Sequence, residues 1–530
     1  MKKLTIKKFI NKVLTENPQN LQSLEIVKKA FCSEEKTNFA KNAEIKKVYD
    51  KMIKNKEIPP NESLKKLLIT KKIRTLSGVA VIAVLTKPYP CPGKCIYCPD
   101  ESAMPKSYLS NEPAVMRAIS TKFHPYQQTQ SRLRALQING HITDKIELIV
   151  MGGTFSYFPT RYQNWFIKEC FRAANDFPKN KLRNKNKSNL KKEKGRNEKV
   201  TNRIIGLTLE TRPDYINQKE ILKFRKLGAT RVEIGVQNIS DKILKLNQRG
   251  HLIKQTEEAT RLLKDAGFKI NYHLMPGMPG SNVRQDFKMF QKIFSDQRFQ
   301  PDMVKIYPCV VTKNSEIYKL WKNKKYIPLS NVQTKKLLIK IKSILPEYVR
   351  VNRLIRDIPE ESIVAGPNIS NLRQIIQQQG VKCSCIRCRE VRGAYSPKNK
   401  IVLDRIDYPA SNGTEIFLQY ISPSRKKLYA LLRLRIPNKK ASQNHFIKTL
   451  KNSALIREVH TYGKLAEINK FNQQSPQHIG LGKKLVKEAE KIAQKEFNFD
   501  KIAVISGVGV RGYYKKLGYR LKDEYMIKSI

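Results

Sequence analysis

The sequence contains no long apolar run and few acidic residues. None of its apolar stretches approaches the ~20 residues that a membrane-spanning helix needs, and its basic first residues lead into no secretory signal. Among 530 residues, 45 Asp and Glu stand against 103 Lys and Arg, which gives a formal net charge of +58. We therefore expect a cytoplasmic protein of two or three domains with no membrane partner.

The shortage of acidic residues also bears on the binding partner. An excess of positive charge raises self-repulsion unless a polyanion neutralises it, and a phosphate backbone is the usual polyanion. The charge therefore favours a nucleic acid. A proteome rich in lysine and asparagine would produce the same composition, so charge alone does not decide between these explanations.

Cysteine is scarce as well, and its distribution is uneven. Nine cysteines in a chain of this length exclude a secreted disulfide scaffold. Six of them form two tight groups, which are Cys91, Cys95 and Cys98, and Cys383, Cys385 and Cys388. The other three, Cys32, Cys170 and Cys309, are scattered. Short spacings of this kind indicate metal binding rather than cross-links.

Residues 1–75 have a basic, helical pattern. Apolar residues recur at helical spacing from Ile6 to Leu14, with lysines on the other face. This pattern fits a solvated amphipathic helix that packs on its own domain, and it fits a nucleic-acid-binding surface equally well.

Residues 76–360 alternate between short apolar runs and helical stretches. The runs predict buried strands at Val79–Leu85, Ile146–Met151, Ile204–Leu209, Arg231–Val236, Lys269–Met275 and Met303–Tyr307. Strands that alternate with helices predict an α/β fold with a parallel sheet or barrel, and ligands bind at the carboxyl ends of such strands. Residues 179–200 are basic, rich in asparagine and almost free of apolar side chains, so we expect a flexible insertion there.

The C-terminal part predicts a separate domain. Residues 361–400 carry the second cysteine group and form a linker, and residues 401–530 have the pattern of a mixed α+β domain. Its predicted elements are strands at Thr414–Tyr420, Leu428–Arg435, Ala454–Tyr462 and Ile502–Ser506, and a helix at Leu481–Lys495.

The first cysteine group lies in a loop directly after the first predicted strand. Three thiolates at the spacing of Cys91, Cys95 and Cys98 can bind three irons of a [4Fe–4S] cluster and leave the fourth iron open for another ligand. Tyr97 stands where an aromatic ring would shield such a cluster. Zinc is the alternative, and it would need a fourth ligand.

This spacing resembles the radical S-adenosylmethionine (SAM) superfamily, in which the open iron chelates SAM. The resemblance implies that polar and glycine residues at the ends of the next strands bind SAM, and these are Gly152, Gly153, Glu210, Arg212, Glu233 and Gln237. Glycines after strands are also ordinary loop residues, so it is their order after the cysteine motif that carries the resemblance.

The second cysteine group places three thiols within six positions. This density favours tetrahedral zinc at Cys383, Cys385 and Cys388 in a structural role, with Cys309 or a histidine as the fourth ligand. A second iron–sulfur cluster and a simple patch of buried thiols remain open as alternatives.

A glycine-containing segment opens the helix predicted at residue 481. Backbone N–H groups at such a helix start can bind a pyrophosphate. The segment resembles the acetyl-CoA-binding pattern of GNAT acetyltransferases, and its residues are Gln477, His478, Ile479, Gly480, Leu481, Gly482 and Lys483. GNAT domains use a late tyrosine near the thioester, so Tyr513 and Tyr514 are candidate catalytic residues, with Tyr514 also touching acetyl-CoA. Either tyrosine could instead belong to the core.

Taken together, these motifs resemble the catalytic subunit of Elongator and its stand-alone archaeal and bacterial relatives. The resemblance spans nearly the whole chain and includes the segments that begin at Lys106, Gly152, Glu210, Gly413, Ile456 and Val510. The compact cysteine spacing is that of the microbial members. Cys309, where a threonine would be expected, and the 179–200 insertion depart from the pattern.

The resemblance implies a cytoplasmic acyltransferase that modifies the wobble uridine of tRNA. A radical SAM partial (β/α) barrel would be followed by a GNAT-type α+β domain, and residues 1–75 would contact tRNA. A SAM-derived radical would abstract hydrogen from the methyl of acetyl-CoA, and the carbon radical would add to C5 of uridine 34. Thioester hydrolysis would then leave 5-carboxymethyluridine. Lys106 is carried over as a candidate catalytic and cofactor-binding residue.

The implied partners are the anticodon arm of a tRNA, whose unstacked bases can enter a pocket, and an electron donor for the cluster. A homodimer is compatible with the sequence, which carries no signal for it. Three rival functions are a protein lysine acetyltransferase, a tRNA methylthiotransferase and a non-catalytic RNA-binding module. The first suits a +58 chain poorly, the second needs a further iron–sulfur domain, and the third leaves both cofactor motifs unexplained.

Overall fold

The N-terminal part of the chain is a small helical bundle. The computed structural model describes residues 3–38, 40–69, 78–178, 188–369, 371–392, 395–463 and 480–530. The bundle contains α1 (Lys3–Glu16), α2 (Leu21–Glu34), α3 (Asn42–Lys54) and α4 (Glu62–Leu68). Its apolar cluster includes Ile6, Phe9 and Ile10, so the amphipathic pattern of this region is explained by packing within the bundle.

The next part, here called the barrel lobe (residues 78–369), is built on a seven-stranded parallel sheet. Each strand pairs with its neighbours in chain order, which makes an open half-barrel. The strands are β1 (Ala80–Leu85), β2 (Lys145–Met151), β3 (Arg203–Thr211), β4 (Arg231–Gln237), β5 (Lys269–Leu274), β6 (Met303–Ile306) and β7 (Arg350–Arg353). The six strands predicted in this region are confirmed, and β7 was not predicted.

Helices surround the half-barrel. They are α5 (Pro113–Ile119), α6 (Pro125–Ile138), α7 (Thr160–Asp176), α8 (Leu190–Asn197), α9 (Gln218–Leu227), α10 (Asp241–Leu246), α11 (Ile253–Asp265), α12 (Val283–Ser295), α13 (Ile317–Lys322) and α14 (Asn331–Ser343). None of the described helices has the length and apolar character of a membrane span.

The prediction of a flexible insertion over 179–200 is wrong for its second half. Residues 179–187 lie outside the described part of the chain, but helix α8 follows and packs on α7. Glu193 and Asn197 are buried, and both contact Asn175 through side-chain hydrogen bonds of 2.7 and 2.8 Å. Polar side chains that bond to one another can be buried without an apolar pattern, which is why composition did not reveal this helix.

A short segment links the barrel lobe to the second lobe (residues 395–530). It contains α15 (Leu372–Gln378) and α16 (Ile386–Arg389). The second lobe has a seven-stranded sheet with β8 (Val402–Ala410), β9 (Gly413–Ile421), β10 (Leu428–Pro437), β11 (Ala454–Thr461), β12 (Lys501–Val504), β13 (Arg520–Lys522) and β14 (Tyr525–Ser529). Its helices are α17 (Lys439–Gln443), α18 (Leu481–Lys495) and α19 (Arg511–Lys515).

The second sheet is antiparallel except for one pair. Strands β11 and β12 run parallel, and α18 lies between them in the chain. Among the described residues, the pairing of β11 with β12 runs from Ala454 and Ile502 to Ile456 and Val504. Helix α18 begins close to the far end of β11, and the start of a helix can bind an anionic ligand.

The two lobes share one apolar core and a buried network of ion pairs. Arg457 of β11 bonds to Asp302 of the barrel lobe and, at 2.7 Å, to Glu415 of β9. Arg435 of β10 reaches Asp265 of α11 at 2.8 Å. Because these groups are buried, their charges are held in fixed positions and fix the orientation of the lobes.

Candidate active site

The half-barrel encloses a cavity of about 920 Å³. Its wall includes the first cysteine group and the inward side chains of the barrel strands. It also includes Glu458, Val459, His460 and Tyr462 at the end of β11 and just beyond it. A single cavity is therefore bordered by both lobes.

The loop after β1 brings three cysteines to the cavity. Cys91, Cys95 and Cys98 all line it. Burial raises the pKa of the Cys98 thiol to about 12. Burial also raises the pKa of Cys95, but the charge and hydrogen bond of Arg249 outweigh it and bring this pKa below its usual value. Arg249 Nη1 lies 3.5 Å from Cys95 Sγ. The site thus favours a thiolate at Cys95, the form that binds a metal.

Glycines permit close approach around this loop. Gly152, with φ of 129°, leaves no room for a Cβ because Thr86 Oγ1 would lie 1.9 Å away. A Cβ at Gly93 would lie 2.1 Å from the Arg212 guanidinium. Gly153 has φ of 92°, a region that favours glycine. Because these residues lack a side chain, the backbone can pass close to the neighbouring side chains beside the cysteines.

Several buried polar atoms near the cysteines lack hydrogen-bond partners among the described residues, and two of them are Arg212 Nη1 and Gln237 Oε1. The other donors of Arg212 are engaged by Asp214 and by the carbonyl of Arg249 at 2.8 Å. Unsatisfied buried polar groups are uncommon in folded proteins, and one donor and one acceptor together suit a ligand with both charge signs. The residues present therefore fit the amino-acid part of SAM.

Deeper in the cavity lies a group of charged side chains that bind one another. Lys305 of β6 bonds to Glu233 and lies 3.6 Å from Glu210. His273 Nε2 is 2.8 Å from Glu233, and Tyr108 donates to Glu210 at 3.1 Å. Burial raises the pKa of Glu233, but Lys305 and His273 outweigh it and hold this pKa well below its usual range. Glu210 and Glu233, both predicted to bind cofactor, are thus already engaged within the protein.

Lys106 lies at the cavity wall. Its Nζ forms an ion pair with Asp100 in the cysteine loop. The neighbouring Ser107 accepts hydrogen bonds from Arg356, which also binds Glu112 at 2.9 Å. The segment that carries Lys106 is therefore fixed against the end of the barrel.

The start of α18 faces β11. Gly480 has φ of 78° and open space around it, and Leu481 begins the helix. A Cβ on Gly482 would lie 3.4 Å from Tyr513 Oη and 3.6 Å from Thr461 Oγ1. Lys483 belongs to the first turn of α18, whereas Gln477, His478 and Ile479 lie outside the described residues. The N–H groups of this helix start fit the pyrophosphate of acetyl-CoA.

The two candidate tyrosines differ in exposure. Tyr513 is 40% exposed, whereas Tyr514 is 6% exposed and packs between Tyr513 and Tyr519. Tyr514 thus packs among core aromatic rings, whereas the Tyr513 hydroxyl lies beside Gly482 at the helix start.

The second cysteine group forms a compact cluster. Cys383, Cys385 and Cys388 place their Sγ atoms within 4.8 Å of one another, as a single metal ion requires. Cys309 does not join them, because it is buried in a separate apolar cluster with Tyr326. Cys309 is therefore not the fourth ligand.

Family models assign the barrel lobe to a class of enzymes. The Radical SAM superfamily matches residues 89–292, and the Radical_SAM C-terminal domain matches residues 301–380. The fold, the cysteine loop and these matches together define a radical SAM protein. This class implies a [4Fe–4S] cluster and SAM.

Relatives that match most of the chain define the family more narrowly. The tRNA uridine(34) acetyltransferase of Methanocaldococcus infernus is 46% identical over 88% of this chain and 90% of its own. That of Dehalococcoides mccartyi is 44% identical over 86% and 99%. Elongator complex protein 3 of Homo sapiens is 37% identical over 89% and 88%. The chain belongs to the family that contains the tRNA uridine(34) acetyltransferases and Elongator complex protein 3.

A solved structure agrees with this assignment. The archaeal Methanocaldococcus infernus Elp3 with an N-terminal deletion superimposes with a TM-score of 0.73 at 41% identity. The match covers 86% of this chain and all of the other. The fold class predicted from the sequence, a partial barrel followed by a mixed α+β domain, is confirmed.

Proposed function

We propose that this chain is a tRNA uridine(34) acetyltransferase, an enzyme that joins the carbon of an acetyl group to the wobble uridine in the cytoplasm. The observation that carries the proposal is the single cavity bordered both by the cysteine loop and by β11 of the second lobe. Identity of 44–46% to tRNA uridine(34) acetyltransferases over most of the chain supports it. Two separate activities would need no shared cavity.

Each cofactor would bind to a separate group of residues. Cys91, Cys95 and Cys98 would hold the cluster, and Arg212 and Gln237 would bind SAM. Together the cluster and SAM supply a radical that abstracts hydrogen, and an electron donor is required. Gly480, Gly482 and the first turn of α18 would bind the pyrophosphate of acetyl-CoA, with Tyr513 beside the thioester.

The residues of the chain would contribute by binding and positioning. The Lys305–Glu233–His273 group holds paired charges inside the barrel, so these side chains are fixed in place beside the SAM site. Lys106 at the wall would contact the incoming nucleotide. The N-terminal bundle would carry part of the tRNA-binding surface, and the excess of positive charge makes this binding sensitive to salt.

The test is a complete reaction with the full chain. Anaerobically reconstituted protein is incubated with tRNA, SAM, acetyl-CoA and reductant, and the tRNA is digested for nucleoside mass spectrometry. We expect 5-carboxymethyluridine, which depends on acetyl-CoA and is lost in Cys95→Ala. SAM cleavage without a modified nucleoside would contradict the proposed acceptor. An intact cluster with no SAM cleavage would favour a lysine acetyltransferase instead.

A further inference from the structure

The loop that carries the first cysteine group forms a thin part of the cavity wall. Gly93 and Cys95 line the cavity, whereas Lys94 between them is exposed and does not line it. Arg249 also lines the cavity, and its Nη1 lies 3.5 Å from Cys95 Sγ, while Gln248 directly before it is exposed. At both places the outer surface therefore lies one residue away from a group that borders the proposed cluster.

Two other segments of the barrel lobe hold this loop by backbone hydrogen bonds. The carbonyl of Asn247, at the end of α10, accepts the N–H of Ile96 at 3.3 Å. The carbonyl of Asn314, shortly before α13, accepts the N–H of Asp100 at 2.7 Å. Because these bonds fix both segments against the cysteine loop, the side chains that the segments expose lie close to the cluster site.

The exposed residues of the loop and of these two segments form a surface here called the lysine face. It consists of Lys94, Lys245, Leu246 and Lys313. Leu246 is 53% exposed, which is unusual for a large apolar side chain. None of these four described residues lines the cavity. Within the described part of the chain, none of the three lysines has an ion-pair partner.

Acidic side chains next to the lysine face are engaged by other groups. Asp100 forms an ion pair with Lys106, and Asp241 at the start of α10 accepts a backbone N–H at 2.7 Å. Glu316 lies 3.0 Å from Lys319, which neutralises it. The lysine face therefore presents positive charge around an exposed leucine, and its acidic neighbours do not balance that charge.

Radical chemistry requires an electron that enters the cluster from outside the chain. In the proposed function the cavity receives SAM, acetyl-CoA and the wobble uridine, so a protein reductant must approach through the cavity wall. The rate of electron transfer falls steeply with distance. A reductant therefore has to dock where the wall is thin, and the lysine face lies at such a place.

We propose that the lysine face docks an acidic one-electron carrier protein that reduces the cluster, an inference that rests on the radical SAM chemistry of the proposed function. Opposite charges steer the association of two proteins, and the carrier would cover the exposed leucine. Complexes of electron carriers bury small surfaces, so a patch of a few residues is sufficient. The carrier loses one electron and the cluster gains it, and no atom or proton is exchanged.

The experiment measures cluster reduction in the full chain, without tRNA or acetyl-CoA. The double variant Lys94→Glu/Lys245→Glu reverses charge on the lysine face. Lys487→Glu/Lys491→Glu makes the same change in net charge at exposed lysines of α18 in the second lobe, and it is the matched control. Each reconstituted protein is mixed anaerobically with reduced flavodoxin, an acidic one-electron carrier. Stopped-flow absorbance and electron paramagnetic resonance follow the transfer.

We expect Lys94→Glu/Lys245→Glu to be reduced by flavodoxin about 10-fold more slowly than the wild type at low salt, because electrostatic steering is lost. The difference should shrink at high salt, which screens the charges of the wild type as well. The control should match the wild type. Reduced methyl viologen, a small cation that needs no docking surface, should reduce both variants no more slowly than the wild type.

Equal rates with flavodoxin for the three proteins would overturn the proposal. So would slow reduction of Lys94→Glu/Lys245→Glu by methyl viologen at full iron content, or a wild type that methyl viologen reduces and flavodoxin does not. Weaker tRNA binding by this variant, with unchanged reduction by flavodoxin, would assign the face to RNA instead. Failure of the proposed function would be seen separately, as absence of 5-carboxymethyluridine from the wild type when methyl viologen is the reductant.

Discussion

At the scale of single residues, the site is shaped by arginines that were not predicted to belong to it. Arg249 is buried, donates to the carbonyl of Gly235 and lies against Cys95 Sγ. A reduced cluster carries one more negative charge than an oxidised one. A buried cation that contacts a cluster sulfur therefore stabilises the reduced state and raises the reduction potential.

Replacing Arg249 tests this electrostatic effect directly. Arg249→Met keeps most of the volume and removes the charge, so we expect the midpoint potential of the cluster to fall and SAM cleavage to slow. The potential is measured by a redox titration followed by electron paramagnetic resonance, without SAM present. Exposed Arg284→Met is the control. An unchanged potential at full iron content would contradict the expected effect.

At the scale of elements, the linker between the lobes is held at both ends. Ile386 donates its N–H to Val349 at 2.9 Å, and Val391 donates to Leu428 of β10 at 3.0 Å. Arg389 donates to the carbonyl of Glu347 at 2.9 Å. A metal held by Cys383, Cys385 and Cys388 would lock this short segment in the conformation that joins β7 to β10.

Metal analysis checks the identity of this second site. We expect about one zinc per chain in addition to the iron, because three thiolates in a compact group suit tetrahedral zinc. Cys388→Ser should lose the zinc, keep the iron and unfold at lower urea concentration. Cys32→Ser, which changes a thiol of the N-terminal bundle, should keep both metals. Extra iron and sulfide in place of zinc would instead identify a second cluster.

The strands also show which elements could be predicted from the sequence. The strands with apolar runs were predicted because burial on both faces demands such runs. Strand β7 was missed because its residues Arg350, Asn352 and Arg353 are polar, and the structure shows why: all three line the cavity. Short polar strands at a ligand site carry the pattern of a loop.

For the site residues as well, only features that are local in the sequence could be predicted. Cysteine and glycine motifs are local in sequence and could be predicted, as could the polar alternation along β4. The partners of Glu233 could not be predicted, because His273 lies on β5 and Lys305 on β6, and only the fold of the barrel brings the three side chains together. A lysine or histidine in the middle of an apolar strand is the signal that would have pointed to them.

At the scale of the whole molecule, buried ion pairs between the lobes make stability depend on pH. Burial raises the pKa of Glu458, but Lys269, Arg433 and His460 lower it to about 2, against a usual 4.5. The unfolded chain therefore binds a proton at higher pH than the folded chain does. This stabilisation, about 3 kcal/mol, is present above pH 4.5 and is lost as pH falls toward 2.

Urea unfolding at several pH values between 7 and 3 checks this dependence. The wild type should lose stability progressively below about pH 4.5. Glu458→Gln should be less stable at neutral pH, because Arg433 loses a charged partner, and its stability should fall less steeply with acid. Equal acid slopes for the two proteins would contradict the role of Glu458.

The lobes also meet backbone to backbone, at a place where only glycine fits. A Cβ on Gly507 of the second lobe would lie 1.9 Å from the carbonyl oxygen of Ile205 in β3. The carbonyl belongs to the backbone of β3 and the Cβ would be fixed to the backbone of Gly507, so relief of the clash requires displacement of main chain. Gly512, five residues later in α19, has no atom within 4 Å of its Cβ position.

These two glycines provide a matched pair of variants. Gly507→Ala should lower the free energy of unfolding by about 2 kcal/mol or more, because the lobes must separate to admit the methyl group. Gly512→Ala should leave stability unchanged or raise it by up to about 1 kcal/mol, because alanine favours a helix. Urea titration measures both. If the acetyl group crosses from one lobe to the other within the cavity, Gly507→Ala should also lose 5-carboxymethyluridine while it still cleaves SAM. Equal stability and equal product for the two variants would mean that the lobes do not need this close contact.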